Sequence, residues 1–188
     1  MYEFLIVLVL LLAYVIVVYN RLVSVRESVR NDLKQIDIQL DRRYKVFESL
    51  ISSVSKYMDY ENTVLKDVVS LRSQAQSAKS NGDQQNRIAA ENAISKIASG
   101  INVMVEAYPE LKASNNVAQL MEEIVSTENK LSFAKQSYND GSERFNAMVL
   151  RFPVNILVGM FGQQFPQFVY WQLSSDDAKA KDEYIAKL

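Results

Sequence analysis

Residues 117–152 read VAQLMEEIVSTENKLSFAKQSYNDGSERFNAMVLRF, and this stretch decides the fold class. Val117, Ile124, Leu131, Tyr138, Phe145 and Phe152 recur every seven residues, with Leu120, Ala134 and Met148 between them. A seven-residue apolar repeat places side chains on one stripe of a helix, the seam of a bundle or coiled coil. Ser114 or Asn115 is a candidate cap for its start, and Pro153 ends it. Gly141 lies inside the seam at a cost of about 1 kcal/mol relative to alanine, and so marks a candidate close helix crossing. The polar run Ser126-Thr127-Glu128-Asn129 interrupts the stripe. It is either a functional patch or a polar pair that fixes register, with Glu128 or Asn129 meeting Arg42, Arg43 or a neighbouring helix.

Upstream, apolar side chains keep helical spacing through Leu33, Ile36, Leu40, Tyr44, Phe47, Ile51, Val54, Met58, Leu65 and Val68. Steps of three and four describe a long amphipathic helix. The turn formers Ser80-Asn81-Gly82-Asp83 end it. A second helix is predicted from about Gln84 to Ala107, with Ile88, Ile94, Ile97, Ile101 and Val105 on one face, stopped by Tyr108-Pro109. A helix from Arg21 to Lys79 would be about 88 Å long and the second about 36 Å. Either the first is kinked into two, or its uncovered stripe packs on neighbouring copies.

The chain opens MYEFLIVLVLLLAYVIVVY, residues 1–19, with Glu3 its only charged side chain. As a helix this run spans about 28 Å, close to the hydrocarbon thickness of a bilayer. A cleaved signal would have a basic start and a small-x-small site, and neither is present. Arg21, Arg26, Arg30 and Lys34 follow the span, so the positive-inside rule predicts residues 20–188 in the cytoplasm and the N-terminus outside. The predicted organisation is a transmembrane anchor at 1–19, a cytoplasmic bundle at 20–152, and an aromatic segment with a charged tail at 153–188.

That last segment begins PVNILVGMFGQQFPQFVYWQLSS and concentrates Phe161, Phe165, Phe168, Tyr170 and Trp171 outside the heptads. Such a density of aromatics needs burial against the bundle, a partner subunit or the membrane interface. Asp176 to Leu188 reads as a charged tail.

The 188 residues suit one ordinary domain beyond the anchor, and 5 Gly and 3 Pro are too few for many short strands and tight turns. With 21 basic and 22 acidic side chains there is no charge excess to draw nucleic acid. Cysteine and histidine are both absent, which removes thiol nucleophiles, imidazole bases and most metal ligand sets. Asp37, Glu61, Glu91, Glu122, Glu123 and Glu128 are the carboxylates a bundle metal site would use, but the usual Glu-x-x-His pairs cannot form. No phosphate loop, nucleophile elbow or dinucleotide fingerprint occurs. The expectation is a protein with no cofactor, no metal and no catalytic site.

Four stretches in order carry a resemblance to a known family. They are Gln35-Ile-Asp-Ile-Gln-Leu-Asp-Arg-Arg43 with Leu50 and Tyr57; Glu106-Ala-Tyr-Pro-Glu-Leu-Lys-Ala113; Thr127-Glu-Asn-Lys-Leu131 with Tyr138-Asn139 and Arg151-Phe-Pro153; and Asn155-Ile-Leu-Val-Gly-Met-Phe-Gly162. Together they resemble the LemA family of bacterial membrane-anchored helical proteins. The resemblance implies an N-terminal anchor, an antiparallel cytoplasmic bundle of three to four helices, and a biochemical role that is poorly defined. Where the family commonly has Ile-Pro-Asn-Leu, this chain has Phe47-Glu48-Ser49-Leu50, which removes the local reason for a break there.

The resulting expectation is an all-α, non-enzymatic scaffold. It contacts membrane lipid and forms a homo-oligomer through its long first helix and aromatic C-terminal segment. An adaptor or regulator for another membrane protein, such as a protease, is the alternative, and an enzyme with no recognisable motif is a third.

Overall fold

The computed structural model describes residues 1–54, 61–107, 114–161 and 164–172, without the side chains of 61–65, 98–99 and 101–107. Tyr57, Met58, Tyr108-Pro109 and the tail from Asp176 lie outside the described residues, as do the side chains of Leu65, Ile101 and Val105. Five helices account for nearly everything described: α1 Tyr2–Val54, α2 Glu61–Ser80, α3 Gln84–Ala107, α4 Asn115–Leu150 and α5 Val154–Met160. There is no strand among the described residues.

α1 has 53 residues. Its N-terminal part is long and apolar enough to cross a membrane, and none of that apolar window is buried within the chain. The helix passes through Phe47 without a break, as the missing proline implies. It does not continue to Lys79. Arg72 on α2 pairs with Glu48 at 3.1 Å and lies 3.6 Å from Asp41, and its guanidinium sits 4.7 Å from the Tyr44 ring. Residues 24 positions apart in a straight helix would be about 36 Å apart. α2 therefore runs back beside α1, and among the described stripe residues Ile36, Leu40, Tyr44, Phe47, Ile51 and Val68 are buried within the chain.

α2 turns into α3 at the Ser80–Asp83 cluster. Gly82 adopts φ +72°, the left-handed conformation that closes a helix C-terminus. The Asp83 amide donates to the Ala78 carbonyl at 2.8 Å and the Gly82 amide to Lys79 at 3.2 Å. The Asp83 carboxylate then caps α3 by accepting from the Asn86 amide at 3.1 Å.

The chain divides into two compact units. One comprises Met1–Asp37 and Ser132–Tyr170; the other comprises Ile38–Leu131 and the chain from Trp171. In the first, Leu22, Val29 and Ile36 of α1 are buried, as are Tyr138, Phe145 and Val149 of α4. The predicted crossing is here: a Cβ on Gly141 would stand 3.2 Å from Asp32 Oδ2 and 3.3 Å from Val29 Cγ2. In the second, Leu40, Phe47, Leu50 and Ile51 of α1 are buried with Val68 of α2, Ile88 and Ile94 of α3, and Val117, Ile124 and Leu131 of α4.

Five of the six predicted heptad residues of α4 are buried. Phe152, the sixth, is 80% exposed. α4 stops at Leu150, because the residue before a proline is pushed out of the helical conformation and the seam ends with the helix.

Candidate functional site

The second unit holds a buried polar cluster on three helices. Arg43 falls on the inward stripe of α1, between Leu40 and Phe47, and is 0% exposed. Its Nη2 meets the Glu91 carboxylate of α3 directly. Its Nη1 donates to Ser95 Oγ at 2.7 Å and lies 3.4 Å from Glu128 Oε1 of α4. The other oxygen of Glu91 accepts from the Tyr44 hydroxyl at 2.9 Å. One guanidinium thus ties α1 to α3 and α4.

An isolated charge buried this deeply would be driven to neutrality, so pairing is what lets both groups stay inside. Burial first, then the charge and hydrogen bond of Glu91, push the Tyr44 hydroxyl pKa far above its ordinary value of 10.0, against a smaller opposing pull from Arg43. Tyr44 therefore stays protonated and donates. Both Glu91 oxygens are occupied and Arg43 is enclosed. Within this cluster, the buried Arg43 Nε and Thr127 Oγ1 have no hydrogen-bond partner among the described residues.

The adjacent arginine does something different, as the 100° step between neighbouring helix positions requires. Arg42 is exposed and reaches Glu123 Oε1 from Nη2 at 2.9 Å and from Nε at 3.3 Å. Such an exposed pair contributes at most about 1 kcal/mol. Glu128 is half-buried against Arg43, whereas Asn129 faces solvent. Among the described residues no group of three or more carboxylates is gathered as a metal site.

The aromatic segment splits. In the first unit, Phe165 is buried, with the Tyr19 ring 5.7 Å away edge-on and Arg26 5.6 Å from its centroid. Phe168 packs edge-to-face on Phe145 at 5.1 Å and on Tyr138 at 6.5 Å. Its backbone is held at both ends by Asn146, which accepts from the Phe168 amide and donates to its carbonyl, each at 2.9 Å. The Tyr138 hydroxyl adds a bond to the Val169 carbonyl at 2.8 Å. In the second unit, Trp171 is buried with Arg87 5.3 Å from its ring. Phe161 and Tyr170 remain exposed. Phe165, Phe168 and Trp171 are thus spent on packing within the chain.

Glu91 entered the sequence reading only as a metal carboxylate, Tyr44 only as a stripe residue, and Asn146 not at all. The signal for the cluster is a charged side chain on an apolar stripe in two helices, with opposite signs: Arg43 between Leu40 and Phe47, and Glu91 between Ile88 and Ile94. Asn146 gave no such signal, since a side chain that holds backbone distant in sequence has no periodicity.

The profile of the LemA family matches residues 32–183, most of the chain. The curated "Protein LemA" of Metamycoplasma hominis is 26% identical over 136 residues, which cover 72% of this chain and 61% of that protein. The chain therefore spans less than two thirds of that relative's length. With the profile match running from α1 past the aromatic segment, the chain belongs to the LemA family.

Proposed function

We propose that this protein is a non-enzymatic scaffold anchored in the bacterial inner membrane by α1, with its bundle on the cytoplasmic side, and that copies associate through the first helix. The observation that carries the scaffold reading is the closed polar interior. Arg43, Glu91, Tyr44, Ser95 and Glu128 bond to one another, so the buried charge serves to hold three helices together. The basic residues Arg21, Arg26, Arg30 and Lys34 after the span support the orientation.

Self-association now rests on a different part of α1 from the one the sequence suggested. α2 covers the stripe around Tyr44 and Glu48, Phe165 and Trp171 are buried in their own chain, and Phe168 is half-buried there against Phe145 and Tyr138. The uncovered apolar length of α1 is its spanning part. Helix pairing there needs close packing between apolar faces, and confinement to a membrane raises the effective concentration of copies. Cross-linking in native membranes and sedimentation in mild detergent test this, using the full chain and a variant whose residues 4–18 are all leucine. The proposal expects an oligomer for the wild type and dissociation in the variant. A monomer in both sinks self-association, and an oligomer in both sinks its assignment to the spanning face.

A further inference from the structure

The geometry points to a second membrane contact in the first unit, where the segment from Leu150 to Phe161 enters the bilayer interface beside α1 and arginines of the adjoining cleft hold anionic phospholipid headgroups. This rests on the reading of α1 as a spanning helix and adds a lipid site to it.

The first observation is apolar surface at one level of the molecule. Phe152 is 80% exposed, Met160 73% and Ile156 56%, with Leu150 and Phe161 also outward. α5 has no buried residue. Elsewhere on the described bundle helices, the exposed large apolar side chains Ile38, Val69, Val125 and Phe133 are spread over three helices, with no two closer than eight residues in sequence, the scatter normal for a soluble face. The segment is fixed at the end of the span. Phe161 lies 5.7 Å from Tyr19 edge-on, and the Tyr19 hydroxyl bonds Gln164 Oε1 at 3.1 Å. Tyr19 closes the apolar run, where interfacial aromatics belong. The chain from Phe152 to Ser175 carries no charged side chain to resist partial immersion.

The second observation is charge. A cleft of about 640 Å³ between α1 and α4 is lined by Arg21, Ser24, Ser28, Arg144 and Arg151 among others. Arg21 is two residues beyond Tyr19, and Arg151 adjoins Phe152, so two of its arginines sit at the level where phosphates lie. Two carboxylates also line it: Asp32, beside Gly141, is eleven residues further along α1 than Arg21, about 16 Å away from the membrane end, and Glu143 is eight residues before Arg151 on α4, about 12 Å from that end. The positive end thus faces the bilayer. A basic pocket at a helix pair next to the membrane is suited to a phosphodiester headgroup, and guanidinium groups bind phosphate oxygens in pairs. Bare α5 lacks basic residues of its own, and the cleft supplies them.

The absence of cysteine allows single-site labelling. Full-length variants Met160→Cys, Leu8→Cys and Gln85→Cys, each carrying a polarity-sensitive fluorophore, are placed in nanodiscs of phosphatidylcholine with or without phosphatidylglycerol. Quenching by nitroxide-labelled acyl chains is compared with quenching by aqueous iodide. The expected result is lipid quenching at Leu8→Cys and Met160→Cys and iodide quenching at Gln85→Cys. Iodide quenching at Met160→Cys with lipid quenching at Leu8→Cys overturns this inference and leaves the anchor intact. Loss of lipid quenching at Leu8→Cys overturns the anchor itself. Protection of Met160→Cys from both quenchers assigns the segment to a second copy and overturns the lipid contact.

For the headgroup, the lipids retained in mild detergent are counted by mass spectrometry. The wild type should enrich phosphatidylglycerol over phosphatidylcholine, and Arg21→Gln, Arg144→Gln and Arg151→Gln should each weaken that enrichment about fivefold. Unchanged enrichment in the triple variant overturns the arginine assignment. Displacement of the lipid by millimolar inorganic phosphate overturns the lipid as the source of the phosphate.

Discussion

Replacing Arg43 by methionine should be among the most damaging single changes in the second unit. The substitution roughly keeps the volume but strips Glu91 of its cation and leaves the carboxylate with only the Tyr44 hydroxyl at 2.9 Å. Breaking one side of a buried pair costs about 3–5 kcal/mol, because the remaining charge stays desolvated. Glu91→Leu should cost a similar amount by stranding the guanidinium. For a chain of this size that corresponds to a fall in melting temperature of about 6–20 °C. The double variant Arg43→Met/Glu91→Leu removes both fully buried charges and leaves Glu128, one third exposed, to solvent, so its cost reduces to the lost partners of Tyr44 and Ser95, about 1–3 kcal/mol together. Urea unfolding of the full chain in mild detergent, followed by far-ultraviolet circular dichroism, measures all three. The expected coupling is at least about 3 kcal/mol. Single variants that cost under about 1 kcal/mol, or a double variant that costs the sum of the singles, would refute the account of a charge pair that must be matched to stay buried.

Three further outcomes follow from the geometry. Gly141→Leu should destabilise by about 2–3 kcal/mol, since even a Cβ there would crowd Val29 Cγ2 at 3.3 Å. Gly100→Ala, in helix α3 with nothing within 4 Å of the new methyl, should instead stabilise by about 0.5–1 kcal/mol, and thermal melts of both separate crowding from helix propensity. Asn146→Ala leaves the Phe168 amide and carbonyl unpaired, so stability should drop by about 1–3 kcal/mol and the segment after Phe161 should become sensitive to limited proteolysis. Tyr44 binds its proton more tightly folded than unfolded, so the stability this represents is complete below pH 10 and is lost as pH rises through the folded value. The stability gap between wild type and Tyr44→Phe should therefore hold up to pH 10 and narrow only above it; a gap that stays constant above pH 10 would show that Tyr44 ionises equally well in both states.

The sequence was most readable where one physical requirement acts at regular spacing. The apolar run before Asn20, the heptads from Val117 to Phe145 and the turn at Gly82 each follow from local rules. The reversal between α1 and α2 did not, because residues 55–60 contain neither glycine nor proline and the apolar spacing continues across them through Met58 and Leu65. Periodicity reports which face is buried and is blind to whether the next stretch of helix points back. Phe152 was misplaced for the converse reason: the repeat was extended one step past the point where Pro153 overrides it. The aromatic segment was legible as needing cover. Its division into Phe165 and Trp171 inside, Phe168 half-buried, and Phe161 and Tyr170 outside depended on Tyr19, Asn146 and Arg87, which are remote in sequence.

The buried charges also answer a weakness that the heptads create. A seam repeating every seven residues looks much the same after a slip of seven, since Leu131 would be replaced by Ile124 or Tyr138 and the apolar contact would survive. Such a slip moves α4 by about 10.5 Å. Glu128, now 3.4 Å from Arg43, would then be exchanged for Met121, which cannot pair, or Lys135, which repels. In the first unit the same slip would set Ala134 or Met148 in place of Gly141 against Val29 and Asp32, and at least the methionine does not fit there. Hydrophobic burial makes α4 a core helix without choosing its register. Arg43 and Gly141 choose it, one by charge and one by lack of a side chain, so the polar interior that looks superfluous to stability is what makes the fold single-valued.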